Sequence, residues 1–299
     1  MMDAKTLGIL AALGCAASWA MGAVLFKKVG DQLSSPAMTL VKSFISAALL
    51  GLVLLLIGYT SVSAETMILL VLSGVLGIAI GDTLFFAALK ELTPHTLIML
   101  LTGGQVLTVL LAVVFLGEMP APLAWVGIVL VISGIFVVVR SNLSGEKKKS
   151  PLRGIILGAL STVCMSVSYI ITAKPLHNKI TPVSALEATF IRMTAGAATM
   201  LIISLFTGQA RNWWQPFRAS RLLGQFFLSV AVITFGAFWL NFVAFKHLDY
   251  SIASTLTSVE PLFVLPLGLI FLREKVTLTA LAGSIIAVTG IALICLPKH

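Results

Sequence analysis

Residues 89–138 read LKELTPHTLIMLLTGGQVLTVLLAVVFLGEMPAPLAWVGIVLVISGIFVV: an apolar run, a short acidic, proline-bearing hinge, and a second apolar run. At an offset of 156 residues the pattern returns. Lys90 meets Lys246, Phe115-Leu116 meets Phe271-Leu272, Glu118 meets Glu274, Gly127 meets Gly283 and Gly134 meets Gly290. A long-period repeat decides an architecture before any single element does.

Charged residues make up 10% of the 299-residue chain and hydrophobic ones 59%, whereas a soluble domain carries about 25% charge. A water-facing surface cannot be built from this composition, so the solvent for most of the chain is lipid. A bilayer core needs about 20 apolar residues per helical crossing. Ten segments of that kind can be read: Thr6–Phe26, Ser35–Ile57, Thr66–Leu89, Thr96–Leu116, Ala121–Val139, Gly154–Ala173, Pro182–Phe206, Leu222–Phe245, Ser251–Leu272 and Val276–Leu296. Lipid admits only helices or closed barrels, because every backbone N–H and C=O must be bonded internally. Uninterrupted runs without period-2 alternation select helices. The first run continues well past Cys15 and has a counterpart in the second half, so no removable leader is expected.

The polar stretch 141–153, SNLSGEKKKSPLR, divides the chain into a first repeat, 1–140, and a second, 154–299. Five crossings in each half force the two to insert in opposite orientations. The expected fold is therefore an all-α integral membrane protein, with ten transmembrane helices forming two inverted five-helix repeats. That arrangement places a binding site near mid-bilayer.

The net charge of +9 sits in loops, not on a helical stripe with interleaved aromatics, so nucleic acid is not an expected partner. Loops on the linker's face carry thirteen Lys and Arg residues, and those on the face of the termini carry five. By the positive-inside rule the linker is cytoplasmic and the termini lie outside.

The paired pattern ALKELTP…FLGE (Ala88 to Glu118) and AFKHLDY…SVEP…FLREK (Ala244 to Lys275) resembles the EamA-like branch of the drug/metabolite transporter (DMT) superfamily. So do the single basic residue in the second helix of each half and the total of ten helices. The resemblance covers nearly the whole chain. It implies a multi-pass protein of the plasma or inner membrane that exports or exchanges small metabolites. Movement would be by alternating access between helices one to four and six to nine, with five and ten as scaffold. Family members are often drawn with both termini cytoplasmic, and both orientations stay open. The family's substrates range from amino acids to nucleotide sugars.

Several residues could carry the chemistry. Lys42 and Arg192 align at an offset of 150. A cation inside a membrane helix is costly and should face a wet cavity or the bundle interior. The pair lines the pathway and attracts a carboxylate or phosphate, or else Arg192 locks its half and Lys42 snorkels to the interface. Glu260-Pro261 falls at the centre of the ninth run, opposite Gly104-Gln105 in the first half. Proline there permits a kink, and the carboxylate could bind a cation or proton, or pair with Arg192. Asp82 is a second candidate for proton coupling, or a group held by Thr83 and loop dipoles. Trp19, Tyr169, Trp239, Gln105 and Asn241 could line the cavity, with Trp19 and Tyr169 in equivalent positions. Glu118 and Glu274, like Pro261, read as hinge and capping features, and Glu187 as a helix cap. Trp213 and Trp214 suggest an interfacial anchor.

Cys15, Cys164 and Cys295 lie singly in different runs and offer neither a disulfide framework nor metal spacing. No metal site, cofactor or catalytic residue is expected, and the partners are a small-molecule substrate and the bilayer, around a monomer or homodimer. GxxxxGK[ST] is absent, so the chain does not hydrolyse nucleotide, and HExxH and GxSxG are absent too. The leading function is a secondary transporter of a small organic solute. A membrane-embedded enzyme, a lipid or sugar-carrier flippase of the same fold and a channel are the alternatives.

Overall fold

The computed structural model describes residues 4–30, 32–59, 62–116, 121–145, 151–176, 183–248, 253, 256–274 and 277–295, and every regular element among them is helical. The first half contains α1 (Ala4–Gly30), α2 (Ser35–Ile57), α3 (Ala64–Glu91), α4 (Pro94–Leu116) and α5 (Pro122–Gly145). The second contains α6 (Pro151–Leu176), α7 (Ala185–Phe206), α8 (220–247), α9 (Glu260–Leu272) and α10 (Leu278–Ile294). Among the described residues eight helices are long and apolar enough to cross a bilayer, while α9 and α10 are apolar but shorter.

Helix starts follow local chemistry. Ser34 caps α2 by accepting from the Ala37 N–H, with Pro36 in the first turn. Ser184 and Glu187 close a reciprocal capping box at the start of α7, which satisfies two otherwise unpaired N–H groups. Glu187 is thus the capping residue its position suggested. Thr277 caps α10 by accepting from Ala280. Glu274 stands in the connection before it, so the capping oxygen there is not the carboxylate that the repeat suggested.

Two departures from regular α-helix matter for function. The third helix of each half carries a π-helical stretch, Val75–Asp82 in α3 and Val232–Trp239 in α8. These stretches occupy equivalent places in the two repeats. Such wide turns often mark functional sites. The ninth run, read as one helix with Glu260 at its centre, is broken instead: Ser258-Val259 form a turn and α9 starts at Glu260. Pro261 is then in the first helical turn, where its missing N–H costs nothing, and it opens a new helix segment rather than kinking a continuous one.

The halves interlock through their third helices. α3 packs on α6 and α7, whereas α8 packs on α1 and α2. α4 pairs with α6 and α9 with α1, and two further close pairs, α2 with α7 and α5 with α10, join equivalent helices. The α5–α10 contact fixes the symmetry. A Cβ on Gly127 would lie 2.4 Å from the Gly290 carbonyl, and one on Gly134 would lie 2.6 Å from that of Gly283. Since Gly283 and Gly290 are the counterparts of Gly127 and Gly134, each glycine faces the other's image. Self-complementary contact of this kind requires a two-fold relation, and between two helices running side by side it makes them antiparallel. Small residues let the backbones meet.

At Gly224, in contrast, a Cβ would meet nothing within 4 Å. Gly127→Val should destabilise the purified protein by about 1–3 kcal/mol through overpacking. Gly224→Ala should be neutral or stabilising by up to about 1 kcal/mol through helix propensity. Thermal unfolding in detergent distinguishes the two.

Candidate functional site

The polar residues inside the bundle fall into two groups. The first is built on α2, α3, α6 and α7. Lys42 is buried, and its Nζ donates to Asp82 Oδ2 at 2.5 Å. Lys42 is therefore not a snorkelling residue. It sits in the second turn of α2 just as Arg192 sits in the second turn of α7. Depth cannot lead it to the interface, because the buried Asp82 at the end of the α3 π stretch holds it inside. Asp82 in turn is held by a lysine, and not by Thr83, whose hydroxyl bonds Thr39 Oγ1 at 2.9 Å.

Arg192 has a different setting. Its Nη2 donates to Ser168 Oγ at 2.9 Å, and the guanidinium lies over the Tyr169 ring, 5.3 Å from the centroid. Ser168 Oγ in turn lies 2.9 Å from Ser73 Oγ, and Ser73 Oγ lies 2.6 Å from Thr172 Oγ1. Among the described residues no carboxylate forms an ion pair with Arg192, and its Nε is buried without a partner. The Arg192–Glu260 pair considered from the sequence is not formed. Two glycines create this arrangement. A Cβ at Gly74 would be 2.5 Å from the Arg192 carbonyl, and one at Gly77 would be 2.3 Å from Ser168 Oγ. Any side chain at either position would push α3 off α6 and α7.

The second group lies on α1, α8 and α9. Trp19 packs against the main apolar core. The Cys15 thiol lies 3.9 Å from Asn241 Oδ1, and the Glu260 carboxylate is within electrostatic reach of Cys15. Glu260 has no hydrogen bond or ion pair among the described residues. The two groups are bridged where α2 meets α8, by Ser46 Oγ and Thr234 Oγ1 at 3.2 Å.

Among the other sequence candidates, Gln105 lies on α4 and Trp239 on α8, and the side chains of both fall outside the described residues, as does Glu118 altogether. Glu274 lies beyond the end of α9, in the connection to α10. Trp213 is buried in the core beside Phe217, and only Trp214, edge-on to Phe44 at 6.0 Å, lies at the rim. The pair is thus not a simple interfacial anchor. Sequence reading missed Ser73, Ser168, Thr172, Ser46 and Thr234. Isolated hydroxyls in apolar runs were the available signal, Ser168 most of all, because Ser18 repeats it beside Trp19.

Charged groups held inside a bundle of apolar helices mark a multi-pass membrane protein with a polar interior. Comparison with known proteins agrees. The EamA-like transporter family matches residues 6–140 and again 152–296, and the chain belongs to that family. An uncharacterized transporter of Archaeoglobus fulgidus is 25% identical over 299 aligned residues, covering 97% of this chain and 99% of that protein. The uncharacterized transporter YvbV of Bacillus subtilis is 27% identical over 183 residues, 60% of this chain and 56% of that one. A crystal structure at 16% identity shares the fold, with a TM-score of 0.63 over 96% of this chain and 97% of that one. The family match and the curated relatives point to a transporter rather than an enzyme.

Removing one member of a buried ion pair leaves the other uncompensated and costs about 3–5 kcal/mol, while replacing both with apolar groups is often near neutral. Lys42→Met and Asp82→Leu should each lower the melting temperature sharply, and the double variant should recover most of that loss. Additive losses in the double variant would mean that the two side chains do not interact.

Proposed function

We propose that this transporter moves a small organic metabolite across the cell membrane by alternating access, as an exporter or exchanger. Helices α1–α4 and α6–α9 move against each other on α5 and α10 as scaffold, and the repeats 1–140 and 154–299 are joined by the 141–153 linker. The observation that carries this reading is that Arg192 and Glu260 lie on lipid-type helices without a described ion-pair partner, a costly placement that in membrane proteins marks substrate and ion pathways. The matched π stretches and the break before Glu260 add support. They lie in the helices that cross between halves, where a change of tilt would open one face and close the other.

Proton coupling in this scheme falls to Glu260 rather than Asp82. Asp82 is committed to Lys42, whereas Glu260 stands at a helix start with no described partner. Arg192 is the substrate-binding cation, and Trp19, Tyr169 and Asn241 supply the walls.

The purified protein in liposomes should move a small organic solute, and Arg192→Ala or Glu260→Gln should abolish movement while leaving the size-exclusion profile and melting temperature intact. Full activity in both variants would remove these residues from the mechanism. A thermal-shift screen with amino acids, sugars, nucleotides and lipophilic cations identifies the solute class. A ligand at 100 times its Kd stabilises the fold by about 2.7 kcal/mol.

A further inference from the structure

On α6, Leu152, Ile156, Leu160 and Val163 are all exposed. At about 100° per residue they form one stripe, which is the face that meets lipid. Gly154, Gly158, Ser161, Thr162, Ser168 and Thr172 are buried and occupy the opposite arc. Tyr169 belongs to that buried arc, roughly 135° from the centre of the lipid stripe. Yet Tyr169 is 53% exposed. At this level of α6 the residues that continue the lipid stripe, Val167 and Ile170, are half-buried, so the helix is most open on the Tyr169 side. Tyr169 lies about two turns from the Leu176 end of α6, so this opening is nearer the face that bears the chain termini.

Arg192 stacks on that same ring. Of its five N–H donors, only one Nη2 bond, to Ser168 Oγ, has an acceptor among the described residues. Lys42, its counterpart in the repeat, is neutralised by Asp82. The charges of Lys42, Asp82 and Arg192 therefore leave one net positive unit, which sits on a planar fork suited to a carboxylate. A dianionic phosphate would be left one charge short.

Resting on the reading of the chain as a solute carrier, we propose that Arg192, backed by Tyr169 and the Ser168–Ser73–Thr172 hydroxyls, is a water-open subsite for the carboxylate of a small organic monoanion, entered from the face of the termini. The carboxylate takes the unmatched edge of the guanidinium in the plane of the fork, and the ring face of Tyr169 keeps that plane fixed. Lys42 does not contact the substrate. It holds Asp82 and, through it, the π stretch of α3.

The test uses full-length protein in vesicles with Cys15, Cys164 and Cys295 replaced by Ser and Tyr169→Cys introduced. Membrane-impermeant thiosulfonates, one carrying a sulfonate and one a trimethylammonium, are added to one face at a time. A thiol in acyl chains forms no thiolate and does not react. The cysteine should react from the face of the termini, and the anionic reagent should react roughly tenfold faster than the cationic one because of the nearby unpaired charge. Adding Arg192→Gln should erase that preference, and Arg192→Lys should keep it. Millimolar phenylacetate should slow modification and phenylacetamide should not. No reaction, reaction only from the linker's face, a preference that survives Arg192→Gln, or equal protection by the amide would overturn the subsite. Stronger protection by phenyl phosphate than by phenylacetate would overturn the monoanion assignment. Any of these results with solute flux intact defeats the subsite alone, whereas absence of flux for every solute defeats the transport reading beneath it.

Discussion

A bilayer core offers no water to a polar group, so each charge that a membrane helix retains must find a partner inside the protein or face a wet cavity. Lys42 and Asp82 satisfy that requirement for each other at 2.5 Å, and much of the surrounding architecture follows from it. The bridge ties the second turn of α2 to the end of the α3 π stretch. α3 also reaches across to lie on α6 and α7 of the other half, which it can do because Gly74 and Gly77 present no side chain to Arg192 and Ser168. The same step places Arg192 beside Ser168 and Tyr169, within electrostatic reach of Asp82 but in a direct ion pair with no described carboxylate. Lys42 thus has a carboxylate within bonding distance and its repeat partner does not, which makes a nearly symmetric scaffold electrostatically unequal.

The symmetry itself is carried by the least decorated residues in the chain. Gly127 and Gly134 meet the carbonyls of Gly290 and Gly283 across the α5–α10 seam, and any side chain there would separate the helices. These two helices contribute no charged group to either polar cluster. At the linker's face the contacts are of a different kind. Lys27 donates to the Lys90 and Leu92 carbonyls at 3.1 and 3.0 Å and also to the Leu89 carbonyl, while Lys90 donates to the Leu33 carbonyl. Cations at a helix C-terminus complement its dipole, so these lysines close the ends of α1 and α3 against one another.

Most of the fold was legible in the sequence, because lipid imposes length and apolarity on each crossing and the 156-residue repeat repeats them. The glycine seam was legible for the same reason, since spacing places Gly127 and Gly134 on one face. What could not be read depended on long-range geometry. Lys42 and Asp82 are 40 residues apart, and Asp82 has Phe238 as its repeat counterpart, so neither periodicity nor symmetry connects them. The π stretches have no composition of their own; they appear where the third helix of one half crosses the first two of the other. The break before Glu260 was visible only as a proline, which a reading along the sequence takes as a kink in a continuous helix. Trp213 looked like an anchor by composition, and packing against Phe217 and Phe226 took it into the core.

The upside-down relation of the two halves underlies all of this and can be measured without knowing the substrate. The turn after α2 and the turn after α7 are equivalent in the repeat, and each carries a glycine with positive φ, Gly58 at 95° and Gly208 at 65°. Tyr59→Cys and Gln209→Cys, placed singly in a chain lacking its native cysteines, put one exposed thiol in each turn. An impermeant thiol reagent should reach these two positions from opposite faces of the membrane. Labelling of both from the same face would contradict the inverted arrangement and, with it, the shared polar interior on which the transport mechanism rests.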